Sequence, residues 1–223
     1  MQSMIAESLS RKHVPPHTSA EARAMERVPP FVRGFWTDDE LLEDSGLGSV
    51  AVLKKVAGTR WLQPSHCASP DGGRRRVWTF GDVGRAGVVV EVSAHVSVPL
   101  IAAGMILDRA TSTWVEAGIN LKARIGSLTN DQPFSGPTVA GHRLVIVNSS
   151  NIWLEAAPDQ FELISQDAEL TGSKLLLPRA YSFRPVRFEI LLEQCVALTV
   201  IDVGNLTLPI FGKIKERIVQ HCR

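Results

Sequence analysis

The sequence has few of the features that identify most protein classes. Its 223 residues include only three cysteines, Cys67, Cys195 and Cys222, without Cys-x-x-Cys spacing. It therefore predicts neither a disulfide framework nor a zinc ribbon, and it favours a reducing compartment. A strong charge is also absent, since the formal net charge is +1. Because dedicated nucleic-acid-binding proteins are usually visibly basic, any contact with nucleic acid must come from a local patch.

Long apolar runs and enzyme motifs are absent as well. The first 17 residues have no apolar core behind their basic side chains, which predicts that the protein is not secreted. No nucleophile elbow, HExxH motif, phosphate-binding loop or dinucleotide glycine fingerprint occurs. The adjacent pairs His66-Cys67 and His221-Cys222 lack the spacing of zinc ligands. We therefore expect a protein that is not an enzyme, with no metal, no cofactor and no small-molecule substrate.

The composition that remains is that of a globular protein. Hydrophobic residues make up 44% of the chain and charged residues 21%. Residues 1–45, with two proline pairs, are predicted to form a partly mobile arm in which Thr37 caps a short acidic helix. Residues 46–208 are predicted to form a mainly β domain, an antiparallel β-sandwich or jelly roll. Residues 209–223 are predicted to form a C-terminal amphipathic helix.

The β prediction depends on short apolar runs that are bounded by Gly, Pro and Asn. Its strongest element is 87–100, where Val88, Val90 and Val92 alternate with the residues between them, as in a strand with one wet face. The predicted strands are 49–57, 75–81, 87–100, 104–108, 114–126, 142–148, 152–156, 161–165, 173–178, 186–192 and 195–203.

A basic cluster lies at residues 51–76, close to Trp61 and Trp78, and contains a single acid, Asp71. Its cations are Lys54, Lys55, Arg60, Arg74, Arg75 and Arg76. Because cations neutralise phosphates and indole rings stack on unpaired bases, these six residues are the candidate nucleic-acid-binding site. The alternative is a loop of solvated arginines over tryptophans of the core.

Asp108 ends an apolar run that predicts a buried strand, and an aspartate there can simply accept hydrogen bonds from turn amides. A second interpretation comes from a resemblance. The order of strand, Pro99, Gly104, apolar residues and Asp108, followed by Arg109, resembles the signature of the thirty-kilodalton movement-protein superfamily of plant viruses.

Two later stretches resemble tobamovirus-type members of that superfamily, in the same order. FELISQDA at 161–168 is similar to a strand ending on Gln-Asp-Ala, and residues 185–218 are similar to the later strands, Asn turn and basic segment. The resemblance spans about residues 87–218. It implies a jelly-roll-like protein that binds single-stranded RNA without sequence preference and associates with itself and with peripheral host membranes or channel proteins. Asp108 would then be a structural signature residue.

The C-terminal segment adds a candidate membrane or partner surface, an apolar stripe with cations beside it: Ile210, Ile214, Ile218, Lys213, Lys215 and Arg217. The alternative is that this helix docks on the β domain. The predicted function is a viral movement protein, located in the host cytoplasm, at a membrane or at cell junctions. The second candidate is a virion matrix or coat protein that self-assembles through the β domain.

Overall fold

The computed structural model describes residues 18, 20, 28–69, 71, 73–116, 143–147, 151–165, 169–171, 174–176, 184–193 and 195–221. About half of the structure is helical and about a quarter is strand. The elements are α1 (Pro30–Arg33), α2 (Asp38–Ser45), α3 (Val50–Ala57), β1 (Ser65–Ala68), β2 (Arg74–Val77), α4 (Phe80–Val96), α5 (Leu100–Glu116), β3 (Arg143–Val147), β4 (Asn151–Ala157), β5 (Gln160–Ser165), β6 (Glu169–Thr171), β7 (Lys174–Leu176), α6 (Phe188–Glu193), β8 (Leu198–Asp202) and α7 (Val203–His221).

Side-chain caps fix the starts of three N-terminal helices. The Thr37 hydroxyl accepts a hydrogen bond from the Glu40 N–H, and the Glu40 carboxylate accepts one from the Thr37 N–H at 2.8 Å. Thr79 and Asp82 make the same reciprocal pair at the start of α4, and Ser49 caps α3. Each reciprocal pair satisfies two N–H groups that would otherwise lack a partner. The prediction that Thr37 caps a short acidic helix is confirmed.

Strands β1 and β2 form an antiparallel hairpin between α3 and α4, in a register that pairs Ser65 with Val77. Directly after β2, the backbones of Trp78 and Trp36 exchange two hydrogen bonds, at 2.8 and 2.9 Å. This bridge ties the base of the hairpin to the segment just before α2.

The C-terminal half contains a four-stranded antiparallel sheet in the order β5-β4-β3-β8. The side chains of successive β3 residues lie on opposite faces of the sheet. Leu144 and Ile146 join the main core, whereas Val145 and Val147 join a second cluster that contains Leu191 of α6. Both faces of this sheet are therefore apolar. Strands β6 and β7 pair separately as a small hairpin.

One core cluster connects the two halves of the molecule. It includes Trp36 from the segment before α2, Leu41 from α2, and Ile210 and Ile214 from α7. Helix α7 approaches α4 so closely that a Cβ atom at Gly87 would lie 2.7 Å from Ile210 Cγ2. The boundary predicted at residue 46, between arm and domain, falls in the turn between α2 and α3.

The predicted mainly β sandwich or jelly roll is wrong. Four predicted strands, at 49–57, 87–100, 104–108 and 186–192, are mostly helical and belong to α3, α4, α5 and α6 respectively. Five others, at 142–148, 152–156, 161–165, 173–178 and 195–203, coincide largely with β3, β4, β5, β7 and β8 respectively. The strand predicted at 75–81 overlaps β2, and most of 114–126 lies outside the described residues.

The valine run after Gly87 shows why the strand prediction failed. Val88, Val89 and Val92 are fully buried on one face of α4, because residues three and four apart lie together on a helix. A β-branched residue lowers helix propensity by at most about 0.7 kcal/mol, whereas burying a valine stabilises by about 1.5–3 kcal/mol. Packing therefore outweighs propensity.

Candidate nucleic-acid interface

Helices α2 and α3 form a helix–turn–helix. The four residues Gly46-Leu47-Gly48-Ser49 join them. Gly46 ends α2 with a φ of 75°, the left-handed conformation that glycine adopts at the least cost. Leu47 is fully buried and anchors the turn in the core. A short turn that contains glycine and joins two helices is one of the features of this motif.

Helix α3 presents one apolar face to the core and one polar face to solvent. Leu53 and Val56 are fully buried, whereas Ala51, Lys54 and Lys55 are exposed. The exposed residues are spaced by three and four positions, so they lie on the same side of the helix. Both lysines therefore point away from the core.

Strand β2 carries three further cations of the predicted cluster. Arg74 is exposed, and Arg75 is half-buried with its guanidinium 5.9 Å from the centre of the Phe35 ring. Arg76 forms an ion pair with Asp38 of α2. The cation–ring contact and the ion pair hold the hairpin against the segment that leads into α2.

Two carboxylates of α2, those of Asp38 and Asp44, have hydrogen-bond and ion-pair partners within the molecule. Asp38, the partner of Arg76, also accepts a hydrogen bond from Trp78 Nε1 at 2.7 Å. Asp44 accepts one from Trp36 Nε1, also at 2.7 Å. The indole N–H groups are neutral and leave the charge of each acid in place, but Asp38 is paired with Arg76, and Asp44 lies 3.6 Å from Arg217 Nη2. These ion pairs reduce the opposition of both acids to the positive field of α3.

The predicted cluster is thus divided between two elements, with Arg60, also exposed, in the connection between them. Its two tryptophans do not belong to the surface. Trp61 and Trp78 are fully buried, and Trp61 Nε1 donates to the Arg85 carbonyl at 3.0 Å. Of the two interpretations of the sequence, stacking of these indole rings on bases is wrong, and tryptophans of the core are confirmed.

Asp108 lies inside α5, where it is half-buried. The prediction that it ends a strand is wrong, because the whole segment 100–116 is helical. The later stretch of the movement-protein resemblance, 185–218, contains two helices as well as β8. FELIS, in β5, and Leu198–Asp202, which forms β8, have the strand structure that the resemblance implies there.

Two of the three isoleucines of the predicted membrane surface are buried. Ile210 and Ile214 belong to the main core, so the prediction that they form a surface is wrong. The side chains of Lys215 and Ile218 lie outside the described residues. In the part of the chain that the structure describes, no single helix is long and apolar enough to cross a bilayer, and α4 and α5, which would qualify only together, are bent by 110°.

The remaining cations of α7 make contacts with the N-terminal half. Lys213 is exposed, with its Nζ 3.9 Å from the Glu91 carboxylate of α4. Arg217 reaches α2, where its Nη1 donates to the Glu43 carbonyl at 2.8 Å. Helix α7 therefore connects the end of the sheet to the first helix of the helix–turn–helix.

Sequence reasoning missed the helix–turn–helix, although the chain contains its signals. Gly46 follows the capped helix α2, and Ser49 then caps a segment in which Val52, Leu53 and Val56 have helical spacing. The same segment also contains alternating apolar residues, which favoured the strand prediction. Comparison with known proteins adds nothing, since no protein family, no curated protein and no solved structure matches the chain. The function has to be inferred from the geometry of α3 and the basic hairpin.

Proposed function

We propose that this protein binds double-stranded DNA through its helix–turn–helix and the basic hairpin that follows it. The observation that carries the proposal is the outer face of α3, where Lys54 and Lys55 lie opposite the buried Leu53 and Val56. In DNA-binding helix–turn–helix proteins the second helix enters the major groove. Helix α3 has that position in this motif.

The dimensions of α3 suit the groove. An α-helix with its side chains is about 10–12 Å wide, and the major groove is about 12 Å wide. The N-terminal residues of a recognition helix contact base edges, which assigns that role to Ser49 and Ala51. Ala51 offers a methyl group that can contact the thymine methyl. Lys54 and Lys55, in the second half of the helix, contact phosphates.

The hairpin lies beside the groove and adds phosphate contacts. Arg74 is the exposed cation of β2 and makes the outer contact, while the Asp38 pair fixes Arg76 against α2. Neutralised phosphates release condensed counterions, which supplies affinity that does not depend on base sequence. Base contacts from α3 then select the sequence.

Duplex DNA is favoured over single-stranded RNA because of the aromatic rings. Proteins that bind single strands stack bases on exposed rings. Trp61 and Trp78 are the aromatic residues of positions 49–78, and both are fully buried. The movement-protein and virion-component roles stay predictions that none of these observations tests.

Binding is tested by fluorescence anisotropy with a random-sequence DNA duplex of about 30 base pairs, long enough for two half-sites one helical turn apart. We expect the full-length protein to bind this duplex more tightly than single-stranded RNA of the same length. The double variant Lys54→Ala/Lys55→Ala should bind more weakly at every salt concentration. The slope of log affinity against log salt should become shallower by about 1.8, since two phosphate contacts are lost.

The matched control removes two cations that lie elsewhere. Arg187 and Lys213 are exposed outside the helix–turn–helix and the hairpin. Arg187→Ala/Lys213→Ala changes the net charge by the same amount and should leave the salt slope close to the wild-type value. Equal loss in both double variants, or tighter binding of the single-stranded RNA, would overturn the proposal.

A further inference from the structure

Exposed apolar side chains concentrate beside the C-terminal sheet. Of the five large hydrophobic side chains that are exposed in the described part of the chain, four lie within residues 190–200. These four residues, which we call the β8 edge patch, are Ile190, Leu192, Val196 and Val200. Leu192 is 50% exposed and Val196 is 99% exposed. Isolated exposed apolar residues are common, but a group of them marks an interaction surface.

The patch adjoins the strand that ends the four-stranded sheet among the described residues. Strand β8 is the last strand in the order β5-β4-β3-β8, and among the described strands it pairs only with β3. The opposite edge differs, because Phe161 of β5 forms a backbone bridge with Val186. Proteins usually protect an edge strand with lysine, proline or a bulge. The segment Leu198–Asp202 has neither of those residues, and its pairing with β3 is regular.

We infer that β8 pairs in antiparallel fashion with β8 of a second copy of this chain, about a two-fold axis near Val200. The charge of the segment favours a second copy as the occupant, because residues 190–202 contain no cation and only two acids, Glu193 and Asp202. In antiparallel pairing about Val200, the Asp202 side chains of the two copies lie at opposite ends of the paired strands. Two identical copies therefore meet there with little repulsion, as a self-complementary two-fold interface requires. A nucleic acid or an anionic membrane would find no cations in this segment to bind.

The position of Val200 supports this pairing. Its register partner is Val145, whose side chain is buried in the cluster that includes Leu191 of α6. Val200 lies on the same face of the sheet but remains 42% exposed, because no further strand continues the cluster there among the described residues. A second β8 would extend the sheet and cover this valine.

The dimer also suits duplex binding, an argument that rests on the proposed function. Helix–turn–helix proteins commonly bind as two-fold dimers to two half-sites. Helix α7 begins at Val203, immediately after β8, and its Arg217 contacts Glu43 of α2. Pairing at β8 thus sets the positions of the two α3 helices relative to each other, because α7 connects β8 to α2, and α2 leads directly into α3.

The test is sedimentation velocity of the full-length protein over a dilution series. We expect the wild type to be a dimer and Val200→Lys to be a monomer, because two lysines would face each other across the axis. Val32→Lys is the control, since Val32 is 53% exposed and lies outside the patch. It should remain dimeric. A wild type that is monomeric at every concentration, or a folded Val200→Lys variant that is still dimeric, overturns the inference.

Hydrogen exchange provides a readout that needs no substitution in β8. In the wild type, the β8 amides should exchange more slowly at high than at low protein concentration, and unchanged rates contradict the pairing. The Lys54→Ala/Lys55→Ala variant should dimerise like the wild type. A protein that dimerises but fails to bind duplex DNA therefore overturns only the proposed function, and a monomer that binds DNA overturns only the dimer.

Discussion

Gly87 is a residue at which α4 and α7 come into close contact. Alanine usually stabilises a helix interior by about 0.5–1 kcal/mol relative to glycine. At Gly87, however, the added Cβ would lie 2.7 Å from Ile210 Cγ2, inside the packed core. Overpacking of this kind costs about 1–3 kcal/mol. We therefore expect Gly87→Ala to lower the free energy of unfolding by about 1 kcal/mol in urea titrations.

Gly212 offers the matched control for that substitution. It also lies in a helix, α7, but apart from its chain neighbours and the backbone of its own helix, no atom of the described residues lies within 4 Å of a Cβ placed there. Gly212→Ala should raise the free energy of unfolding by about 0.5–1 kcal/mol. If both alanine variants were stabilised, the close approach of the two helices at Gly87 would be refuted.

Glu155 is the buried carboxylate of the C-terminal sheet, 2% exposed. Burial by itself raises the pKa of this carboxyl, but two kinds of contact outweigh it. Arg143 Nε donates to Oε2 at 2.8 Å, and the Asp159 N–H donates to Oε1 at 3.0 Å. These hydrogen bonds and the Arg143 charge hold the pKa of Glu155 below its ordinary value.

A lowered carboxyl pKa makes stability depend on pH in a defined direction. The contribution of Glu155 is fully present above the unfolded pKa, about 4.3, and is lost as pH falls through the lower folded value. Glu155→Gln should cost about 3 kcal/mol at neutral pH, because it leaves Arg143 without its charge partner. In urea titrations at decreasing pH, the free energy of unfolding should fall less for this variant than for Glu189→Gln, an exposed control. An equal decrease in both variants would contradict the role of Glu155.

At the scale of elements, periodicity alone predicted the sheet far better than the helices. The strands of the C-terminal half were found because they are short and bounded by turn residues. Helix α4 was missed because its valines satisfy a period of two as well as a helical stripe. The Thr79-x-x-Asp82 capping pair distinguishes a helix from a strand, because it marks the start of a helix. It lies outside the valine run itself, so the run alone does not contain this signal. Longer-range features, such as the Trp36–Trp78 bridge, join residues 42 positions apart and have no local sequence signal.

The candidate site was predicted in part by its charges. All six cations of the cluster lie on α3, on β2 or in the connection between them, but the sequence could not place them on a helix–turn–helix. That placement depends on Leu47, Leu53 and Val56 packing into one core, which is a tertiary property. The sequence left open whether the two tryptophans lie at the surface or in the core, since only packing shows that they are buried.

The orientation of α3 in the groove gives a prediction about specificity. Ala51 is exposed near the start of the helix, and Ala51→Gln replaces a methyl group with an amide that can bind adenine in bidentate fashion. In selections from a randomised duplex pool, we expect this variant to change the preferred base at one position of each half-site. The discrimination should be about 1–3 kcal/mol. Ala94→Gln, at an exposed position of α4, should select the wild-type sequence, and a common motif for both variants would exclude α3 from base contact.

For the whole molecule, the shared core predicts that the two halves unfold together. Ile214 of α7 is 2% exposed and belongs to the same cluster as Trp36, Trp61 and Trp78. Truncating it should cost about 2–5 kcal/mol. Because three of the five tryptophans lie in the N-terminal half, fluorescence reports mainly on that half, whereas circular dichroism reports on both.

The change to test is therefore Ile214→Ala, followed in urea by both probes. We expect the two transitions to coincide and to shift together, as in two-state unfolding. Val32→Ala, at a side chain that is 53% exposed, should stay within about 0.5 kcal/mol of the wild type. If the fluorescence transition of Ile214→Ala kept its wild-type midpoint while the dichroism transition shifted, the helix–turn–helix would fold without α7. The path from β8 through α7 to α2 would then be too loose to set the spacing of two recognition helices.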